Sequence, residues 1–264
     1  METREHTFAI CAYGESPYLR ECIESVLGQD RPGSEVFIAT STPSEFIDSL
    51  AAEHGLAVHV NTGEHGIGQD WNFAYSCATG KYVTIAHQDD VYLSGYAGEA
   101  VRMLGRSERP LIFFSNYGEL RDGKRVDDNQ LLRVKRRLLR PLERERNFGS
   151  IGKRRRALSL GSAICCPSVC ISREACPNAP FVTDMKSNLD WDTWEVLSRR
   201  EGDFCYSPKI LMYHRVHEES TTSKLIQDNT RGSEDLAMFK RFWPAPVATM
   251  INWVYSRGMK SNSL

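Results

Sequence analysis

The sequence predicts an α/β fold built on an open, doubly wound, mostly parallel sheet flanked by helices. Short apolar segments alternate with segments of helical periodicity throughout the first half of the 264 residues. In addition, two adjacent aspartates follow the fourth predicted strand, at the edge where such sheets bind ligands. A chain of this length can bury a substantial core, and one large domain with elaborations is expected.

In the first half, the strongest signals are apolar runs followed by helices with recognisable ends. Ser16 is a predicted N-cap, Pro17 the first helical residue and Gly28 the end of the first helix, whose apolar face holds Leu19, Ile23, Val26 and Leu27. The predicted strands cover residues 7–13, 35–41, 56–61 and 81–86. The predicted helices cover residues 16–29, 44–55 and 68–80.

The second half continues the pattern around an interruption rich in arginine and lysine. Residues 121–157 hold most of the basic clusters and few large apolar side chains, which predicts a solvated helix and a mobile loop. On either side, helices are predicted over 95–107 and 188–202, and strands over 110–120, 161–172 and 204–217.

Composition excludes several classes of protein. A formal net charge of −1, with 25% charged residues, gives no overall attraction to nucleic acid or to an anionic membrane. No secretion signal or membrane-spanning apolar run is recognisable, and residues 242–260 come closest to one. Eight cysteines without a secretion signal indicate reduced thiols and a cytoplasmic location.

The segment "YVTIAHQDDVYL" places Asp89 and Asp90 directly after a buried strand. Mg²⁺ and Mn²⁺ prefer oxygen ligands, so paired carboxylates at a strand end are suited to hold a divalent cation. Alternatively, the two aspartates begin a turn or cap the next helix.

Four stretches, taken in order, resemble a family 2 glycosyltransferase with the GT-A fold. They are "FAICAYGESPYLRECIESVLGQ", "GIGQDWNFAYSCATGKYVTIAHQDD", "LDWDTWEVLSRREG" and "ILMYHRVHEESTT". The resemblance implies an inverting, Mn²⁺- or Mg²⁺-dependent enzyme that moves a sugar from a nucleotide-diphosphate donor to a hydroxyl acceptor, such as a saccharide or lipid-linked saccharide. Its implied setting is synthesis of bacterial surface or exported polysaccharide, in the cytoplasm or at the inner face of the membrane.

The resemblance also implies a division of the chain. The catalytic domain would cover residues 1–222, with a donor half at about 1–120, a basic helix and loop at about 121–157 and an acceptor half at about 158–222. Residues 223–264 would form a helical extension, whose amphipathic pattern suits the domain's own core or a homodimer contact better than a membrane surface.

Carried over by position, Asp90 corresponds to the metal-binding aspartate and Asp89 to its neighbour, which contacts the ribose or reaches the metal through water. His217 and His214 could add imidazole ligands, and Arg215 could clamp the diphosphate. The remaining implied donor-binding positions are Ala12, Tyr13, Glu15, Thr40 and Asn72. Thr40, Ser41 and Thr42 stand where the family often has acids that bind the base, so uracil is not implied.

The same resemblance places a general base in "NLDWDTWEVL", at Asp190, with Asp192 as the alternative. On a helix these residues point about 200° apart, so only one should face the cleft. Asp190 matches the family position, while the alternative role is an N-terminal aspartate that favours the helix dipole.

Two other functions remain open. A nucleotidyltransferase would be expected to carry a basic, glycine-rich loop after the first strand, and "CAYGESPY" has one glycine and no lysine or arginine. A non-catalytic subunit of a glycan-assembly complex would explain the altered second turn and Trp71, where the family often has arginine. The basic segment could be a solvated face, a lid over the diphosphate or a surface for anionic acceptors.

Overall fold

The computed structural model describes residues 4–217 and 230–260, which form one mixed sheet with helices around it. The strands of these ranges are β1 (His6–Ala12), β2 (Glu35–Thr40), β3 (Ala57–Val60), β4 (Tyr82–His87), β5 (Val91–Tyr92), β6 (Pro110–Arg121), β7 (Lys124–Val126), β8 (Val169–Ser172) and β9 (Asp203–Val216). The helices are α1 (Leu19–Leu27), α2 (Glu45–His54), α3 (Ile67–Cys77), α4 (Tyr96–Arg106), α5 (Gln130–Leu139), α6 (Ile151–Leu158), α7 (Leu189–Ser198), α8 (Thr230–Lys240) and α9 (Ala245–Lys260).

The sheet has the order β3-β2-β1-β4-β8-β6-β9-β5, with β7 paired to β6. The first four strands are mutually parallel, as are β6 and β9, whereas β8 runs antiparallel to both its neighbours. This arrangement confirms the predicted mostly parallel sheet. The register pairs Cys11 with His87 and Ala12 with Thr40, so β1, β2 and β4 end at the same edge.

Helix α1 follows its predicted face, but it begins later than the sequence suggested. Ser16 accepts hydrogen bonds from the amides of Tyr18 (side chain, 3.3 Å) and Leu19 (carbonyl, 3.2 Å), which makes residues 16–19 a turn. Tyr18 is therefore the N-cap, and the predicted cap at Ser16 was wrong. At the other end, Leu27 is 45% exposed instead of buried.

The basic segment is more ordered than predicted, because small numbers of apolar residues hold it against the core. It forms α5, α6 and two short 3₁₀ helices instead of a mobile loop. Its buried residues are Leu132, Leu139, Leu142, Phe148, Ala157 and Leu158. Even Arg154 is fully buried, where its guanidinium donates to the backbone carbonyls of Arg200 and Gly202.

The C-terminal helices pack on the domain. Met238, Phe239 and Ala248 are fully buried, and the Phe239 ring lies 5.2 Å from that of Trp191 on α7. The amphipathic tail thus covers part of the core, as favoured from the sequence. The predicted boundary at residues 222–223 lies outside the described residues. None of the helices described here is long and apolar enough to cross a membrane.

Candidate active site

The acidic pair lies where β4 ends, at the edge shared with β1 and β2. The amide of Asp90 donates to the carbonyl of His87 at 3.1 Å, so the chain turns here before entering β5. Asp90 is fully buried, and the Asp89 side chain is 21% exposed. The predicted turn and the predicted carboxylate edge are therefore both present at this point.

Strand β9 supplies the partners of both aspartates, because it lies next to β5 and ends beside the acidic turn. His214 Nδ1 lies 3.0 Å from Asp90 Oδ1, and His217 Nε2 lies 3.1 Å from Asp89 Oδ2. The backbone amide of Arg215 also donates to Asp90 Oδ1, at 2.9 Å. Residues predicted from two distant stretches of sequence are thus brought together.

The guanidinium of Arg215 bonds protein groups around the acidic turn. Its Nε donates to the carbonyl of Asp89 at 2.8 Å, and Nη2 donates to the carboxylate of Glu21. The guanidinium also stacks 4.2 Å from the ring centroid of Tyr18, and Arg215 is only 7% exposed. Because its guanidinium N–H groups bond Asp89 and Glu21, Arg215 holds the acidic turn in position.

His87 completes a cluster that the sequence reading did not assign. One ligand atom from each of His87, Asp89 and Asp90 lies within 4.8 Å of the other two. The imidazole is fixed by Trp71, which stacks on it at a centroid distance of 4.8 Å and an angle of 22°. The sequence could have indicated His87 as a third ligand, because it ends β4 two residues before Asp89.

Two atoms of this cluster indicate a cation site. His87 Nε2 and Asp90 Oδ2 are buried and have no hydrogen-bond partner among the described residues. A buried polar atom without a partner is costly, and such atoms commonly bind a ligand or ion. Imidazole nitrogen and carboxylate oxygen are suitable ligands for Mn²⁺, and carboxylate oxygen is also suitable for Mg²⁺.

The protonation states suit such a site. Burial lowers the pKa of His87, although the charges of Asp90, Asp89 and Asp190 act in the opposite direction. Burial alone would raise the pKa of Asp89, but the hydrogen bond from His217 and the nearby imidazoles hold it below its usual value. A neutral imidazole and an ionised carboxylate are the forms that ligate metal.

The predicted nucleotide loop lies at the same edge, where side chains tie its parts together. Gln88 makes two 3.0 Å hydrogen bonds with the backbone of Tyr13, whose ring is 68% exposed. The Thr42 hydroxyl accepts from the amide of Gly14 at 2.7 Å, and Thr40 is buried beneath it. Glu15 is exposed and Ala12 is buried at the end of β1.

The side-chain amide of Asn72 is engaged in a contact within the protein. Its side-chain amide makes a reciprocal pair of hydrogen bonds with the backbone of Phe181, at 2.8 and 3.0 Å, because α3 packs against that loop. The predicted donor-binding role of Asn72 therefore has no support in the contacts. The nearby polar group that the sequence reading missed is Asp70, held by Ser41 and Asn61 at 2.8 Å each.

The two candidate bases on α7 separate as the helical spacing predicted. Asp192 is buried and forms a bidentate pair with Arg241, whose Nη2 lies 2.8 Å from Asp192 Oδ2. Burial raises the pKa of Asp192 despite this partner. Asp190 is partly exposed on the opposite side, close enough for its charge to act on His87 and Cys166.

Helix α8 holds the start of α7 in place. The carboxylate of Glu234 accepts hydrogen bonds from three successive amides, those of residues 186, 187 and 188, at 2.8, 2.8 and 2.9 Å. The Asn188 side chain donates to Asp235 at 2.7 Å. Glu234 from α8 therefore fixes the segment that leads into α7, and Asn188, the N-cap residue, makes no side-chain cap hydrogen bond.

Solved structures place this architecture in the GT-A class. A mannosyltransferase from Pyrobaculum calidifontis, solved with GDP-Man and Mn²⁺, is 17% identical with a TM-score of 0.62, over 96% of this chain and 69% of that one. TarS residues 1–349 from S. aureus, solved with UDP-GlcNAc, are 15% identical with a TM-score of 0.61, over 94% and 70%. These likenesses show the fold.

The family model for glycosyl transferase family 2 matches residues 7–176, well over half of the sequence, and the chain belongs to that family. An uncharacterized glycosyltransferase of Rickettsia typhi is 23% identical over 222 residues, which cover 82% of this chain. The chain spans 65% of the length of that relative.

Proposed function

We propose that the protein is an inverting, divalent-cation-dependent glycosyltransferase that transfers a sugar from a nucleotide-diphosphate donor to a hydroxyl acceptor. The observation that carries this proposal is the cluster of His87, Asp89 and Asp90, with its two buried atoms lacking partners, at the carboxyl edge of the sheet. The charge of Asp190 acts on His87 of the same cluster, which supports a place for Asp190 beside it.

In this proposal His87, Asp89 and Asp90 hold Mn²⁺ or Mg²⁺, with His214 and His217 beside them. The bound cation would neutralise charge on the departing diphosphate. Arg215 positions the turn, because it bonds the backbone of Asp89 and the carboxylate of Asp90 at once. The loop of Ala12, Tyr13 and Glu15, with Thr40 below, is the proposed surface for the nucleoside.

Asp190 is the proposed general base. It would accept the proton of the acceptor hydroxyl as that oxygen attacks the anomeric carbon of the donor, which requires an ionised carboxylate within hydrogen-bond reach. The ion pair of Asp192 with Arg241 supports Asp190 over Asp192 for this role. A single displacement with one base forms no covalent enzyme intermediate and inverts the anomeric centre.

The solved relatives support a nucleotide-sugar donor. They were solved with GDP-Man, UDP-GlcNAc and, for glucosyl-3-phosphoglycerate synthase from Mycobacterium tuberculosis, UDP-Glc with Mn²⁺. We extend this to a saccharide or lipid-linked saccharide acceptor in bacterial polysaccharide synthesis. The eight free cysteines, six of them buried, suit a reducing cytoplasm.

The first test is thermal stabilisation by UDP, GDP, dTDP and CMP, each with and without Mn²⁺. A ligand that binds only the folded state stabilises it by mass action. We expect one nucleotide to stabilise the wild type in a Mn²⁺-dependent manner, and Asp90→Asn to lose that effect. Asp48→Asn, an exposed acid on α2, is the matched control and should behave as wild type.

Two results would overturn the proposal. If no nucleotide binds the folded wild type, the donor site is wrong. If a nucleotide sugar binds but is neither hydrolysed nor transferred, and Asp190→Asn changes nothing, the chain is a non-catalytic subunit.

A further inference from the structure

Helix α5 carries one charged residue, the partly exposed Lys135, on the face that holds its buried leucines. Leu132 and Leu139 are 1% and 2% exposed, and Lys135 lies between them on the same face, three residues after the first. The Lys135 ammonium donates to the Tyr117 hydroxyl at 2.8 Å and lies 5.2 Å from the centroid of that ring. By contrast, Arg133 and Arg137 on the same helix are exposed.

Among the described residues, no carboxylate forms an ion pair with Lys135, because the nearby acids have other partners. Glu119 accepts from Arg121 at 2.8 Å and from Asn129 at 2.7 Å. Asp127 accepts from the Tyr213 hydroxyl at 2.9 Å, and Asp128 is paired with Arg133. The Lys135 ammonium has three N–H donors, and Tyr117 accepts from one of them.

Tyr117 is not an anionic partner for Lys135. It is 4% exposed, and burial raises its pKa to about 12, so the phenol keeps its proton at neutral pH. Because its oxygen already accepts from Lys135, its own hydrogen is free to donate. The described residues provide no acceptor for that hydrogen. The two side chains therefore present donors only, which is the arrangement expected around an oxyanion.

The Lys135–Tyr117 pair lies next to the candidate metal cluster. The Tyr117 ring centroid is 6.4 Å from that of His214, whose Nδ1 contacts Asp90. The charge of Lys135 also acts on Cys165, which lies within the influence of Asp90 and Asp190. An anion bound by this pair would therefore lie beside the metal cluster.

We propose that Lys135 and Tyr117 form a subsite for a phosphoryl group beside the metal cluster. The two sources of such a group are the donor diphosphate and a phosphorylated acceptor, and naming these sources rests on the proposed function. The test uses inorganic phosphate alone, titrated by calorimetry at constant ionic strength against the wild type, Lys135→Met, Lys135→Arg, Tyr117→Phe and the matched control Arg137→Met.

We expect saturable phosphate binding to the wild type and Arg137→Met with equal Kd. Lys135→Met should weaken it at least about tenfold, as for loss of a charge-assisted hydrogen bond, and Tyr117→Phe should weaken it several-fold. Lys135→Arg should keep binding within a few-fold, which separates charge loss from misfolding. Absence of saturable binding to the wild type, or equal Kd for Lys135→Met and Arg137→Met, overturns the proposal.

A second titration, with saturating nucleoside diphosphate and Mn²⁺, separates the two sources. A donor diphosphate in the subsite would displace phosphate, and Lys135→Met would then weaken nucleotide binding. A phosphorylated acceptor would leave the subsite open to phosphate beside the nucleotide, with nucleotide Kd unchanged in Lys135→Met. Failure of all nucleotides to bind would refute the proposed function, while the result with phosphate alone still decides the subsite.

Discussion

Arg215 reaches beneath the acidic turn, where its Nε donates to the backbone carbonyl of Asp89 at 2.8 Å. Its own amide donates to Asp90 at 2.9 Å, so one residue fixes both members of the pair. Groups that orient metal ligands commonly change metal affinity by about 10- to 100-fold when replaced. Through Arg215, strand β9 thus positions the two proposed metal ligands Asp89 and Asp90.

Arg215→Lys should therefore weaken Mn²⁺ binding by about 10- to 100-fold, because one ammonium cannot bond Asp89 and Glu21 in the same fork. Nucleotide affinity at saturating Mn²⁺ should stay within a few-fold of wild type. Calorimetric titrations measure both constants. Arg20→Lys, in an exposed pair with Glu53, is the control. A large loss of nucleotide affinity at saturating Mn²⁺ would instead return Arg215 to the role of diphosphate clamp.

Asp190 and Asp192 provide a second test, because they share a helix and differ in surroundings. Asp190→Asn should reduce sugar transfer by about 10²- to 10⁴-fold, the usual contribution of a general base, and leave nucleotide binding and Tm unchanged. Asp192→Asn should instead lower the free energy of unfolding by about 1–3 kcal/mol, since it breaks a pair with the partly exposed Arg241. Equal kinetic loss in both variants would contradict this assignment.

The sequence predicted the fold well because its signals are local. Strand and helix periodicity and the acids after β4 depend only on neighbouring residues, and strands that alternate with helices indicate parallel pairing. Helix α2 lies within the predicted range 44–55, where Ser44 caps it and the left-handed Gly55, with φ of 66°, follows its last residue. The position of β8, antiparallel between β4 and β6, was not predicted. His214 and His217 were assigned by resemblance and do reach the aspartates.

The sequence could not show contacts in which a partner lies far along the chain. Asn72 bonds Phe181, and Arg215 bonds Glu21, so the sequence could not show that these polar groups already had partners. Lys135 and Glu234 were missed for the same reason, since each bonds residues of a different element. The sequence pattern also predicted a mobile loop in the basic segment, whereas a few buried apolar residues are enough to order it.

Glu234 leads to a third prediction. Glu234→Ala would leave three amides of the segment before α7 without their acceptor, so stability should fall by about 1–2 kcal/mol, as for the loss of hydrogen bonds to a charged group. Asp190 lies within the first turn of α7, and kcat should fall several-fold while nucleotide Kd stays constant. Denaturant unfolding and steady-state kinetics measure these effects.

Glu234→Gln is the informative companion, because its amide oxygen can still accept from part of the amide cluster. We expect it to recover most of the stability and much of kcat. If Glu234→Ala lowered stability while kcat was unchanged, Glu234 would stabilise the fold without influence on the position of Asp190.

His6 should make the protein sensitive to acid. It is 1% exposed, its ring nitrogens lie 3.0 Å from the hydroxyls of Ser34 and Thr84, and burial, assisted by the charge of Arg31, lowers its pKa to about 3. The unfolded chain binds this proton near pH 6.5, so stability is lost as pH falls from about 6.5 towards 3. Between pH 7.5 and 5, this contribution should amount to about 2 kcal/mol.

Urea unfolding of the wild type and His6→Gln at both pH values measures this contribution as a difference between their pH profiles. His65→Gln, at an exposed position, is the control. Parallel profiles for the wild type and His6→Gln would show that His6 does not carry this acid sensitivity.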